Sequence, residues 1–184
     1  VPSAWQKRRF VESLYGGKVV AYPTESVFGL GCDPLNPMAV LDLLKLKKRG
    51  QHKGLILIAS RFSQLSPFLK SLPESIKSRI HNGRQEPTTW LLPAKESVPT
   101  WLTGEHETLA VRLTQHPLAK ELCELARTAL VSTSANVAGC EPLKTAHQAR
   151  LKFQALGVHV IGGRVGLAKK PSRIIDPFSN KQLR

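Results

Sequence analysis

Apolar positions along this chain follow two rhythms. Helical spacing appears first at Phe10, Val11 and Leu14, with Ser3 placed to cap the start and Gly16-Gly17 to end the helix near Tyr15. Asn36-Pro37 supplies an N-cap and a proline at the first helical position, and Val40, Leu43 and Leu44 follow on one face. Pro117 opens another helix, with Leu118, Leu122 and Leu125 at helical spacing. The pattern predicts further helices over 62–69, 74–80 and 146–156. Between them lie short apolar runs with no helical period, predicted as strands: 18–22 stopped by Pro23, 54–59, 88–92, 109–113, 129–131 and 158–161. Gly162-Gly163 and 169–171 read as loop. Strands that alternate with helices define an α/β fold.

Composition narrows the class. The 184 residues fit one domain, 1–184, and a hydrophobic share of 41% is enough for a packed core. No run approaches the length of a membrane span, and residues 1–9 lack the apolar stretch of a secretory signal. A cytoplasmic protein with no membrane contact is expected. Cys32, Cys123 and Cys140 are odd in number and form no CxxC, which fits free thiols in a reducing compartment. The six histidines form no HExxH, so no dedicated protein metal site is expected. The formal charge of +14 and a pI near 10.2 change the picture most. Such a field either attracts a polyanion, RNA or a nucleotide among them, or simply keeps the surface soluble.

Three groups of residues could carry chemistry. Two predicted strands run into hydroxyl clusters, Thr24-Glu25-Ser26 and Ser132-Thr133-Ser134-Ala135-Asn136. Ligands of open α/β sheets sit beyond the carboxyl ends of strands, where such side chains can meet phosphate or polar substrate groups. The same residues also cap helices and make turns. The third group is the cationic run 45–53, which contains Lys47, Arg49 and Lys53. It could grip a triphosphate, or be the ordinary basic ending of a helix before Gly50. No P-loop and no GxSxG occurs, and Gly29-Leu30-Gly31 lacks the third glycine of a dinucleotide fingerprint.

Taken in order, these pieces resemble the YrdC/TsaC family. Residues 20–33, with Tyr22-Pro23-Thr24-Glu25-Ser26 at their centre, are similar to its opening motif. Lys47-Lys48-Arg49 fits its K-x-R element, followed by Lys53-Gly54-Leu55. Val111-Arg112 and His116-Pro117 fit its central stretch, Ser134-Ala135-Asn136 its S-x-N element, and Pro171-Ser172 with Ile174 and Asp176 its closing motif. The resemblance implies a twisted, mostly open mixed sheet flanked by helices, with a positively charged concave surface. It implies a nucleotidyltransferase that converts L-threonine, bicarbonate and ATP, with Mg²⁺ on the nucleotide, to threonylcarbamoyl-adenylate and pyrophosphate. A tRNA threonylcarbamoyltransferase complex would take up the product. Lys47 and Arg49 would be the catalytic phosphate-binding pair. Ser134, Asn136 and, less centrally, Ser132 and Ser172 would bind the nucleotide. Thr24, Lys53 and Arg112 would hold threonine. The segment 163–171 could form a lid.

One stretch departs from the family pattern. Arg84-Gln85-Glu86 stands where relatives carry Trp-Pro-Gly before Pro87 and Thr89. Glu86 is expected to face solvent or pair with a cation such as Arg84, because a carboxylate facing phosphates would repel them. Two alternatives to the synthase stay open: a non-catalytic RNA-binding protein of the same fold, and a carbamoyl transferase with another acceptor. The intact K-x-R and S-x-N elements favour the synthase, because backbone binding to RNA needs only diffuse cations.

Overall fold

The structure, a computed structural model, describes residues 1–82 and 86–183. Its first helix, α1 (Ala4–Tyr15), starts on a complete capping box, in which the Ser3 hydroxyl accepts from Gln6 N and the Gln6 side chain returns to Ser3 N. Helix α2 (Pro37–Lys47) is capped by Asn36, whose side chain accepts from Ala39 N. The other helices are α3 (Glu74–Asn82), α4 (Thr100–Thr103), α5 (Pro117–Leu125) and α6 (Ala146–Phe153).

The strands are β1 (Val20–Pro23), β2 (Phe28–Gly31), β3 (Ile56–Ala59), β4 (Thr88–Pro93), β5 (Thr108–Leu113), β6 (Leu130–Ser134), β7 (His159–Val160) and β8 (Arg173–Ile175). Among the described residues they form one mixed sheet in the order β7-β1-β2-β6-β3-β5-β4-β8. β3 and β5 run parallel, as do β4 and β8, while β6 runs antiparallel to both β2 and β3. This is the expected α/β class.

Alternation along the strands sorts the core onto two faces. Val20, Tyr22, Ile58 and Leu130 pack with Phe10 and Leu14 of α1 and with Leu118 and Leu122 of α5. Ala21, Leu57, Val111 and Val131 pack on the opposite face with α2 and with Ala149 and Phe153 of α6. Helices α1 and α5 contact each other and cover the β7-β1 end, part of β3 and Leu130 of β6. The rest of that face is left open between β6 and β8, and this is where the site lies.

Several predicted elements are corrected. The helix over 62–69 is only a 3₁₀ turn, Phe62–Gln64, and Leu69 bridges to Ala94 instead. Pro67 explains it, since a proline disfavours helical backbone at the residue before it. Of the three leucines at helical spacing in α5, Leu118 and Leu122 are buried and Leu125 is exposed. Helix α6 passes into a 3₁₀ turn at Gln154. The strand over 129–131 continues to Ser134, taking in the hydroxyl cluster. Strands β2 and β8 and helix α4 add to the predicted set.

Candidate active site

The open half of the sheet forms the floor of a cleft of about 1200 Å³. Strand register builds that floor. Ser132 lies opposite Ile56, Ile56 opposite Ala110, and Ala110 opposite Leu91, so these four form one row across β6-β3-β5-β4. Arg112 stands two residues beyond Ala110 on the same face. Ser134 is paired with Gly29, where a side chain would be crowded: a Cβ there would stand 3.1 Å from Thr24 Cγ2 and 3.4 Å from Ser132 Oγ. Gly29 thus lets the two hydroxyl clusters approach each other across β2.

Seven of the residues singled out in the sequence line this cleft together: Thr24, Arg49, Lys53, Arg112, Ser132, Ser134 and Ser172. Thr24 sits in the turn between β1 and β2, and its hydroxyl donates to Val27 O at 2.7 Å. The Ser172 hydroxyl meets that of Thr89 at 2.9 Å beside the β4-β8 pairing. Arg49 follows Lys48, whose left-handed backbone (φ 49°) ends α2 and turns the chain toward the cleft. The Arg49 guanidinium donates to Gly54 O at 3.0 Å, and its Nε is buried without a hydrogen bond. Gly54 has φ 60°, and a Cβ there would stand 2.7 Å from Thr103 O. Such contact is possible only for glycine, and it seats the 51–54 turn, with Lys53, against α4.

Lys47 and Asn136 are arranged differently and do not line the cleft. Lys47 is 5% exposed, and its ammonium donates to Ser134 O at 2.5 Å, Asn136 O at 2.9 Å and Asn136 Oδ1 at 2.9 Å. An ammonium has three donors, so all are used. Asn136 Oδ1 also accepts from the Ser134 hydroxyl at 2.6 Å, and its Nδ2 donates to Cys140 O at 2.6 Å. In this structure the K-x-R lysine therefore ties down the S-x-N turn from behind. Burial, then repulsion from Arg49 and Lys152, lowers Lys47 to about 8.

Glu25 lies within the opening motif, where the sequence alone assigns it no role. Glu25 is 8% exposed. Its Oε1 accepts from the Thr114 hydroxyl at 2.6 Å and from Gln115 N at 3.0 Å. Its Oε2 stands 3.7 Å from Arg112 Nη2. Burial pushes the carboxyl up, but the charge of Arg112 and the hydrogen bonds outweigh this and hold it below the ordinary carboxylate range. A glutamate inside a hydroxyl cluster was the only signal available, because its partners are about ninety residues away in the chain.

The segment after Gly163 also joins the site. Gly166 N donates to Thr24 O and Ala168 N to Glu25 O, and residues 165–172 line one wall of the cleft. With Lys144, Lys169 and Lys170, six cationic side chains line the cleft against a single carboxylate, Glu141. A pocket of that balance, with hydroxyls on its floor, suits a small polyanion. Among the described residues no group of three His, Cys, Asp or Glu side chains is arranged to hold a metal.

A mixed sheet with a cationic, hydroxyl-floored cleft defines an α/β protein whose cleft suits a small polyanion. The Sua5/YciO/YrdC family model, described as telomere recombination, matches residues 12–184, and the chain belongs to that family. It is 42% identical over 182 residues to the threonylcarbamoyl-AMP synthase of Methylococcus capsulatus, covering 99% of this chain and 98% of that protein. It is 49% identical over 174 residues to the protein of the same name from Photorhabdus laumondii, covering 94% and 92%. Among solved structures, P. abyssi Sua5 complexed with L-threonine superposes with a TM-score of 0.84 at 32% identity, covering 95% of this chain. The chain spans 51% of that Sua5 chain.

Proposed function

We propose that the protein is a threonylcarbamoyl-AMP synthase, an ATP-using nucleotidyltransferase acting in tRNA modification. The observation that carries this reading is the meeting of Thr24, Lys53 and Arg112 with Arg49, Ser132 and Ser134 in one cationic cleft. Relatives of that name align over nearly the whole chain. Residues 1–184 are read as one YrdC-like domain.

The chemistry suits such a cleft. The amine of L-threonine captures the carbon of bicarbonate as a carbamate, with loss of water. A carbamate oxygen then attacks the α-phosphorus of ATP, and pyrophosphate leaves with its bonding electrons. No protein nucleophile is required; the residues must position the reactants and offset charge on the phosphates. In this reading Arg112, Lys53 and the Thr24 hydroxyl hold the threonine. Arg49 meets the triphosphate, with Ser132, Ser134 and Ser172 donating to the nucleotide. Lys47 adds its charge from behind and, with Asn136, fixes Ser134. Mg²⁺ brought with ATP would offset charge on the phosphates, and an ion that keeps several waters needs few protein ligands. The product passes to a tRNA threonylcarbamoyltransferase complex in the cytoplasm, and the basic surface contacts RNA. No helix among the described residues is long and apolar enough to cross a membrane.

The direct test is release of pyrophosphate from ATP by the purified protein. Release that requires both threonine and bicarbonate supports the assignment. Release indifferent to threonine overturns it.

A further inference from the structure

Arg112 poses a problem that Glu25 solves. The arginine side chain is only 12% exposed and its Nε is buried with no hydrogen bond, yet it lines the cleft. A guanidinium that deep needs a counter-charge. Gripped by a carboxylate through two parallel bonds, however, it would have its fork occupied and would be poorly placed for a substrate carboxylate. Glu25 offers a third arrangement. Its Oε1 is anchored by the Thr114 hydroxyl and Gln115 N, so the carboxylate cannot swing round to close on the arginine. Its Oε2 is left facing Arg112 Nη2 at 3.7 Å, beyond hydrogen-bond reach, and makes no hydrogen bond of its own.

The backbone of Glu25 is fixed as well. Ala168 N donates to Glu25 O, and Gly166 packs so closely that a Cβ on it would stand 2.6 Å from the same oxygen. Thr114, in turn, is held through its N–H to Ala59 O, one residue past the Ile58–Arg112 pairing. The anchor and the arginine therefore belong to the same rigid strand end.

We infer that Glu25 is a positioning residue for Arg112: a carboxylate held at a fixed stand-off, which offsets the buried charge, sets the guanidinium's direction and leaves its donors free for the substrate carboxylate. This rests on the functional reading above. It predicts that Glu25 governs affinity for threonine and not for ATP.

Glu25→Gln keeps the size and an acceptor oxygen for Thr114 and Gln115, but removes the charge and turns amide donors toward Arg112. The expected result is a rise in KM for L-threonine of about 10²-fold, the scale of loss when one partner of a buried charge pair is removed. KM for ATP should not follow. Titration calorimetry with threonine alone should show the same loss. Glu25→Asp, which keeps the charge but draws it back by one methylene, should fall between the two and serves if the glutamine variant does not fold. In a cycle with Arg112→Lys, the double variant should lose less than the product of the single losses. A lowered melting temperature with an unchanged threonine KM would make Glu25 merely structural and overturn the inference. Absence of threonine-dependent pyrophosphate release in the unaltered protein would instead overturn the functional reading.

Discussion

At the scale of single residues, Lys47 and Arg49 separate into different jobs. Arg49 lines the cleft with an unpartnered Nε, whereas Lys47 has all three donors on the Ser134–Asn136 turn. Arg49→Ala should lower adenylate formation by about 10²–10³-fold, the usual cost of losing one electrostatic donor, with little change in melting temperature. Lys47 should reveal itself through pH. Burial lowers it to about 8, so the folded protein gives up this proton as pH rises through about 8. The ammonium then loses its charge and one donor, and activity should fall on that alkaline limb. Stability should move the other way. An unfolded lysine keeps its proton to about 10.4, so between about 8 and 10.4 the unfolded state binds more protons, and this group's contribution to stability rises with pH. Lys47→Arg, charged throughout, should shift the limb upward in a pH–rate profile; an unmoved limb would assign it to another group. The sequence could name these residues but not divide their roles, because the division depends on oxygens nearly ninety residues away.

At the scale of elements, the departure at residues 84–86 bears on whether the cleft is intact. Arg84 and Gln85 lie outside the described residues. Glu86 is largely exposed and pairs with Arg173 of β8 at 3.2 Å. Such an exposed pair is worth about 1 kcal/mol or less. Strand β4 forms over Thr88–Pro93 despite the changed lead-in, paired to β5 and β8. Installing Trp-Pro-Gly at 84–86 should therefore alter turnover only modestly in a steady-state assay; a large gain would show that the natural segment impairs the site. What was legible here followed physical strength. Helices α1 and α2 announce themselves through caps and a 3.6-residue period, and buried β3 through an unbroken apolar run. Strand β2 was not legible, because Phe28-Gly29-Leu30-Gly31 alternates with glycines whose role is close approach rather than burial. Strand β8 has only three residues and depends on pairing with β4. The 62–69 helix was misread because an apolar period outweighed Pro67.

At the scale of the whole molecule, the net charge of +14 and the cationic cleft are related but separable. The cleft accounts for a few of those charges; the remainder spreads a field over the surface. That field should bind tRNA with little sequence preference, and log affinity should fall linearly with log salt. Filter binding across a salt series checks this, and no binding at low salt would leave the charge with a solubilising role. The central claim is narrower: the cleft joins threonine, bicarbonate and ATP. The protein should be incubated with ATP, L-threonine and isotopically labelled bicarbonate, and its products separated and weighed by mass spectrometry. The account predicts threonylcarbamoyl-adenylate carrying the labelled carbon, formed together with pyrophosphate and only when all three substrates are present. An adenylate without the label, or no adenylate from a folded protein that still binds ATP, would contradict it.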